Sequence, residues 1–319
     1  MKEIGGFLEL EKNSGHEYHE KCIALNSGRN CLRYLIRARE IKKIWLPKLL
    51  CSAISDTCRE EKVEITYYSI NEKLRPALPD NLNEDWLYLI NYYGQYSDEE
   101  IRLYSQEYKN LIVDNAQAFY EEPIDEIDTI YTCRKFFGVS DGGYLYTKSR
   151  YKETLFPDTS YERVQFLAGR FEESGQAFYE KYRENEEKID RLPLKLMSKI
   201  THNFLQGIDY ISVARIREQN YIYLHQHLKN INKLQVILPV GPYMYPLYVE
   251  NGAKIREELK LEKIYVPILW PNVKQELDSY TTEYRLADNI VPLPCDQRYS
   301  LADMGYVVEK IKKLEEILK

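Results

Sequence analysis

The chain has 319 residues, with 44 lysines and arginines against 50 aspartates and glutamates, so its formal net charge is −6. Hydrophobic residues make up 44% of the chain and there are only 14 glycines and 13 prolines, which excludes a disordered, collagen-like or low-complexity protein. The mild acidity argues against nucleic acid as the main partner, because phosphate binding requires a basic face.

The first half of the chain alternates between short apolar runs and amphipathic segments. Helices are predicted over 32–39, 51–60 and 98–108, and short apolar or strand segments over 43–46, 63–68, 86–91, 111–113, 129–132 and 143–147. This alternation is typical of βαβ units and predicts an α/β fold with a mostly parallel sheet. Such sheets place functional residues at the carboxyl ends of their strands.

The pattern changes near Pro157. A charged stretch over 172–191 predicts a long solvated helix, followed by a helical link over 192–202 and a helix over 210–228. Further strands are predicted over 234–238, 245–249 and 264–269, and helices over 253–259 and 301–318. We therefore predict a large α/β domain over 1–205 and a smaller C-terminal α+β domain over 206–319.

The chain start lacks the basic and apolar regions of a secretory signal, and no apolar run approaches the roughly 20 residues of a membrane span. The 6 cysteines are scattered without a C-x-x-C pair, and the 5 histidines are scattered too. We expect a cytoplasmic protein with reduced thiols, no membrane partner and no metal site.

Three segments carry candidate functional residues. Ser27, Gly28 and Arg29 open a helix, where N–H groups, a hydroxyl and a positive charge suit a phosphate, although a plain helix cap has the same pattern. Asp114 ends an apolar strand, the place of a ligand-facing acid or of an ordinary cap. Lys135 lies between an arginine and aromatic residues, which suits a Schiff-base lysine or a surface pair before a turn.

Together, and in this order, these segments resemble the DegT/DnrJ/StrS family of sugar aminotransferases, which use pyridoxal phosphate. The family's Ser-Gly-Thr turn resembles 27–29, and its Glu-Asp-Ala-Ala-Gln/His-Ala motif resembles 113–118. The family lysine, followed by Gly-Gly, matches Lys135 with Gly142 and Gly143, and Lys135 follows Asp114 by 21 residues. The resemblance covers about 22–150 most clearly, and 293–296 resembles the family's closing segment.

The resemblance implies the type I fold of pyridoxal-phosphate-dependent transferases, with a large, mostly parallel-sheet domain and a smaller C-terminal α+β domain. It also implies roles for three residues. Lys135 would hold pyridoxal 5′-phosphate as a Schiff base and later move the substrate proton. Asp114 would pair with the pyridine nitrogen, and Gln117 would lie near the ring and its 3′ oxygen.

The resemblance assigns the cofactor phosphate to Ser27, Gly28 and Arg29, with Arg29 standing where the family has threonine. Thr132 is a further candidate phosphate ligand, one residue out of register with the family's Ser-Phe-His. The position of the aromatic residue that stacks on the ring falls at Cys51 or a neighbour such as Leu50.

Other residues remain open. Tyr92 or Tyr93 is a candidate to cover the cofactor ring in place of the missing aromatic residue. The arginines at 215, 217 and 298 are candidates to hold a substrate carboxylate or phosphate. Trp270 and the tyrosines of 243–248 suit either a sugar-stacking wall or core packing, of which packing is the default.

The resemblance implies transfer of an amino group from glutamate or glutamine to a keto-sugar, nucleotide-linked, in polysaccharide or glycan biosynthesis such as that of lipopolysaccharide. It also implies a homodimer. The alternatives are a different pyridoxal-phosphate enzyme on this fold, a non-catalytic relative that binds a sugar or a partner protein, and a plain α/β binding protein.

Overall fold

A computed structural model describes residues 4–79, 82 and 84–318; residues 1–3 and 319, at the ends of the two predicted domains, lie outside that range. An eight-stranded sheet has the order β1-β8-β7-β6-β5-β2-β3-β4. Its strands are β1 Ile23–Leu25, β2 Lys43–Pro47, β3 Glu64–Ile70, β4 Pro76–Ala77, β5 Trp86–Ile90, β6 Leu111–Asp114, β7 Asp128–Thr132 and β8 Gly143–Tyr146.

The centre of the sheet is parallel. Strands β7, β6, β5, β2 and β3 pair in parallel, whereas β8 pairs antiparallel with both β7 and β1. Every residue of β6 and β7 is buried, so these strands are continuous in burial rather than alternating. This pattern is typical of a sheet covered on both faces, and it confirms the predicted α/β class.

Within the described part of the chain, three helices connect these strands, and two of them begin after a serine whose side chain caps the helix. They are α1 Gly28–Ala38, α2 Ser52–Glu60 and α3 Asp98–Glu107. Ser27 caps α1 by accepting a hydrogen bond from the N–H of Asn30, at 3.3 Å. Ser97 and Glu100 form a capping box on α3. Helix α3 begins at the predicted residue, α2 begins one residue after its predicted start, and α1 begins four residues before its predicted start.

The second half of the chain builds a second core on a two-stranded antiparallel sheet of β9 Met244–Tyr248 and β10 Ile290–Pro294. Its helices are α4 Gln165–Glu172, α5 Tyr179–Asp190, α6 Lys199–Gln206, α7 Tyr210–Leu228, α8 Gly252–Leu261, α9 Val273–Glu276, α10 Thr282–Asn289 and α11 Leu301–Leu318. Side chains of α7, α8, α11 and both strands form the second core. Trp270 and Leu234 also lie in the second half, but they pack into the core of the eight-stranded sheet. The domain division at residue 205 stays a prediction.

Four predicted elements of the second half differ from the structure, two strands and two helices. Residues 234–238 and 264–269 form no strand, and Ile237 and Ile268 are each 50% exposed. The partner of β9 is β10, whose two prolines hid it in the sequence because proline is depleted in strands. The predicted helix over 172–191 is helical mainly over α5, because α4 ends at Glu172 and residues 173–178 form no helix. The predicted helical link over 192–202 is helical only from residue 199, where α6 begins, and Pro193 lies in the non-helical part.

The antiparallel β8 places the carboxyl ends of β1 and β7 at the same edge of the sheet. Gly143 at the start of β8 is paired with Leu25 on one side and with Thr132 on the other. A Cβ atom at Gly143 would lie 2.8 Å from the carbonyl carbon of Ser27 and 2.9 Å from the nitrogen of Gly28. The start of α1 therefore packs directly on β8, with no room for a side chain between them.

We expect Gly143→Ala to lower the free energy of unfolding by about 1–3 kcal/mol, because the added methyl group meets backbone that must shift. Urea denaturation measures this loss. The control is Gly305→Ala in α11, where the nearest atom is the Tyr223 hydroxyl at the end of a flexible side chain. Equal midpoints for Gly143→Ala and the wild type would contradict this packing.

Candidate active site

The predicted site residues converge on the carboxyl edge of the large sheet, although they come from separate strands. Ser27 and Gly28 follow β1, Cys51 follows β2, Asp114 ends β6, Thr132 ends β7, and Lys135 lies in the turn after β7. Parallel strands bring such residues together whatever their separation in the chain.

The start of α1 is the candidate site for an anion. The N–H groups of Gly28 and Arg29 donate to no other group among the described residues, as expected at a free helix start. A Cβ atom on Gly28 would lie 3.9 Å from Cβ of Thr132, so β7 ends beside these N–H groups. The helix dipole and the hydroxyl of Ser27 add to the attraction for a phosphate. The hydroxyl of Thr132 donates to the carbonyl of Gly142 at 3.3 Å, a bond that a phosphate contact would have to replace.

The side chain of Arg29 has another partner. Its guanidinium donates to the backbone oxygen of Asp190 at 2.7 Å and to the Asp190 carboxylate at 2.6 Å. A phosphate contact by this side chain would have to replace that ion pair. What Arg29 contributes at the helix start itself is its backbone N–H.

The charged stretch predicted to be solvated contributes two of its carboxylates to ion pairs with residues outside the stretch. Glu186 on α5 pairs with Arg134, next to Lys135, while Asp190 at the end of the same helix pairs with Arg29. These residues are four apart and so lie on one face of the helix. Helix α5 thereby bridges the turn that carries Lys135 and the start of α1.

Asp114 is a buried acid with two internal donors. It is 7% exposed, and its carboxylate accepts from the N–H of Ala116 at 2.8 Å and from the hydroxyl of Tyr88 at 2.9 Å. Burial raises the pKa of Asp114, opposed by the charge of Lys135. The sequence analysis missed Tyr88, and the available signal was a tyrosine inside an otherwise apolar central strand.

The side chain of Lys135 is exposed, yet the surrounding protein partly desolvates its ammonium. This desolvation lowers the pKa of Lys135, and the carboxylate of Asp114 opposes the change. The Lys135 Nζ lies 5.7 Å from the ring centroid of Tyr243. An accessible amine with a lowered pKa opposite a buried acid can act as a nucleophile or a proton carrier.

The tyrosines proposed to cover a cofactor ring belong to the core. Tyr92 is 2% exposed and donates to the oxygen of Leu49 at 2.6 Å, and Tyr93 is 0% exposed. Both rings pack edge-on against Trp270, itself buried. The default of core packing for Trp270 holds, and the idea that Tyr92 or Tyr93 covers a ring is wrong, because these rings are already covered.

The backbone of Tyr93 nevertheless contributes to the site. It has a φ of 55°, the left-handed region that such residues rarely adopt, and its N–H donates to Oε1 of Gln117 at 2.8 Å. This bond holds the buried Gln117 in place near Asp114. Cys51 is exposed at the start of α2, whereas its neighbour Leu50 is buried.

The three candidate arginines differ in exposure and in hydrogen-bond partners. Arg217 is 1% exposed and donates to carbonyl oxygens, so it is closed to a substrate. Arg298 forms a two-bond pair with Asp296, and Arg215 is exposed.

Within residues 4–79, 82 and 84–318, no helix combines the length and apolar character needed to cross a bilayer. The same part of the chain contains no cluster of three or more histidine, cysteine or acidic side chains arranged to hold a metal ion.

Comparison with solved structures identifies the fold. An aminotransferase of the DegT DnrJ EryC1 StrS group from Brucella abortus matches 92% of this chain and 86% of its own, with 15% identity and a TM-score of 0.59. The chain has the fold of these aminotransferases. NtdA from Bacillus subtilis, solved with bound cofactor PMP, matches 92% of this chain and 73% of its own, with 15% identity and a TM-score of 0.65.

DesI, solved in the presence of its TDP-sugar product, shares the aminotransferase fold with 13% identity and a TM-score of 0.61, over 92% of this chain and 80% of its own. No family model and no curated protein sequence matches the chain. The likeness therefore lies in the backbone, and it confirms the type I transferase fold that the motifs predict.

We expect Asp114→Asn to lower the pKa of Lys135 further, because the substitution removes a negative charge that favours the ammonium. The direction follows because an opposite charge nearby favours the charged form of an amine. Competitive acetylation of the protein across a pH series, read by mass spectrometry at Lys135, measures this pKa. Asp98→Asn, on the exposed first turn of α3, is the control. An unchanged midpoint in Asp114→Asn would show that the two groups do not interact.

Proposed function

We propose that the protein is an aminotransferase that uses pyridoxal 5′-phosphate and moves an amino group from glutamate or glutamine to a keto-sugar. One observation carries the proposal. An accessible lysine with a lowered pKa faces a buried aspartate, beside a free helix start, at the carboxyl edge of this fold.

The residues present fit that cofactor at each of its polar ends. The free N–H groups of Gly28 and Arg29, with the hydroxyls of Ser27 and Thr132, suit its phosphate. The carboxylate of Asp114 suits a protonated pyridine nitrogen, and the amine of Lys135 suits its aldehyde. Gln117, held by the N–H of Tyr93, is the candidate for the ring's 3′ oxygen.

When bound, this cofactor supplies an aldehyde that condenses with amines and a ring that accepts the electrons of a substrate carbon. Lys135 contributes an amine whose lowered pKa leaves a larger neutral fraction near neutral pH. The same amine, once free, can carry a proton between neighbouring carbons. Asp114 is oriented for its role by the hydroxyl of Tyr88 and the N–H of Ala116.

The proposed acceptor is a nucleotide-linked keto-sugar. The presence of a TDP-sugar product in DesI, which shares the fold, supports this choice, and the motif resemblance supports the amino donors. We extend the proposal to a cytoplasmic homodimer acting in polysaccharide or glycan biosynthesis, such as that of lipopolysaccharide.

The direct test is the visible absorption of the protein mixed with pyridoxal phosphate, before and after borohydride and after addition of glutamate. We expect a visible band that borohydride converts into a permanent bond to Lys135, and loss of that band with glutamate. Lys135→Ala should form no such bond, whereas Lys199→Ala, at an exposed lysine, should behave as the wild type. Absence of the bond in the wild type would refute the proposal. A bond that forms while no amino donor is consumed would instead favour a non-catalytic relative.

Cys51 provides a second test, since it stands where the motif resemblance places the stacking aromatic residue. We expect Cys51→Phe to tighten cofactor binding by roughly 2- to 10-fold, because aromatic stacking contributes about 0.5–1.5 kcal/mol. Cys51→Ala is the control for loss of the thiol. Fluorescence titration with the cofactor measures both, and equal affinity for the phenylalanine and alanine variants would mean that residue 51 does not face the ring.

A further inference from the structure

We propose that Arg217 and Gln297 are positioning residues that hold the Lys135 turn in place from the C-terminal half of the chain. The inference rests on the proposed function, because it concerns the aim of the amine on which that function depends. It gives a role to a buried arginine that the sequence suggested for substrate binding.

Both residues bind the same backbone oxygen, one residue beyond Lys135. The carbonyl of Phe136 accepts from Nη2 of Arg217 at 3.0 Å and from Nε2 of Gln297 at 2.9 Å. Nε of Arg217 also donates to Oε1 of Gln297 at 2.8 Å. The three groups form a closed set of hydrogen bonds, so each side chain fixes the direction of the other.

The opposite end of the turn is held by backbone hydrogen bonds and by the ion pair of Arg134 with Glu186 on α5. The carbonyl of Cys133 accepts from the N–H groups of Phe136 and Phe137, both at 2.9 Å, and the N–H of Cys133 donates to Gly142 at 3.3 Å. Lys135 therefore lies between two fixed points. Among the described residues, Arg217 and Gln297 supply the side-chain hydrogen bonds to the second of these points, whereas the ring of Phe136 packs against Tyr243.

The same guanidinium holds the residue that faces the amine. Nη1 of Arg217 donates to the carbonyl of Pro242 at 2.9 Å and to that of Tyr243 at 3.4 Å. The ring of Tyr243 is the one that lies 5.7 Å from the Lys135 Nζ. Arg217 thus sets the position of Lys135 and of the aromatic ring opposite it.

Only an arginine can make this set of contacts from one position. Its planar fork presents donors in three directions, and charge-assisted bonds to carbonyls are stronger than neutral ones. A lysine keeps the charge but concentrates it on one nitrogen. Arg217→Lys therefore tests the geometry of the fork rather than the charge.

The experiment compares Arg217→Lys and Gln297→Met with the wild type and with Arg215→Lys, an exposed arginine on the same helix. Competitive acetylation across pH reports the pKa of Lys135 in protein without cofactor. Borohydride trapping with pyridoxal phosphate reports the rate of covalent attachment to Lys135. Circular dichroism melting shows which variants fold.

We expect both site variants to raise the acetylation midpoint of Lys135, because a released turn exposes the amine to water. We expect the attachment rate to fall roughly 10- to 100-fold in Arg217→Lys, the cost of a misplaced reacting group, and less in Gln297→Met. Arg215→Lys should match the wild type in both measurements.

Unchanged midpoint and attachment rate in folded variants would overturn the positioning role. If Arg217→Lys does not fold, the result for Gln297→Met decides whether the positioning role holds. This variant should fold, because the side chain of Gln297 is only half-buried and methionine has a similar volume. If the wild type itself attaches no cofactor, the proposed function fails, and the acetylation midpoints still decide the positioning role separately.

Discussion

The close contact between the start of α1 and Gly143 is the constraint on which the candidate site depends. Because Gly143 pairs with both Leu25 and Thr132, one residue sets the spacing of the strands that deliver the helix start and the lysine turn. A side chain at this position would separate them. The free N–H groups of α1 lie beside Thr132 for this reason, so backbone packing positions the candidate anion site.

The charges around the site follow from that arrangement. Arg29 and Arg134 flank the helix start and the lysine, and each is paired with a carboxylate of α5. The guanidinium of Arg217 donates hydrogen bonds to backbone carbonyl oxygens. Lys135 is left as an accessible amine that retains no close ion pair among the described residues, and burial of its surroundings lowers its pKa. Desolvation therefore favours a neutral, nucleophilic lysine, and the carboxylate of Asp114 opposes this effect.

The relation to the aminotransferase fold also shows which features a fold preserves. Identity to the solved relatives is only 13–15% in the comparisons described, yet each covers 92% of the chain. What is shared is the course of the backbone, with TM-scores of 0.59 to 0.65. Side chains at the strand ends can change, as Cys51 at the expected aromatic position illustrates, while the sheet still brings them to one edge.

Local patterns in the sequence determined the elements and the order of the candidate residues. The predicted helix over 210–228 coincides with α7, and the cap at Ser27 and the apolar runs of β5 and β6 are encoded within a few residues. Only the tertiary structure decided the partners of long polar side chains. Arg29 donates to Asp190, Arg217 to the carbonyl of Phe136, and Tyr88 to Asp114. These partners are distant in the sequence, so no local sequence pattern indicates the contacts. Backbone preference and periodicity are properties of neighbouring residues, whereas the direction of a buried arginine depends on which distant carbonyls the fold brings within reach.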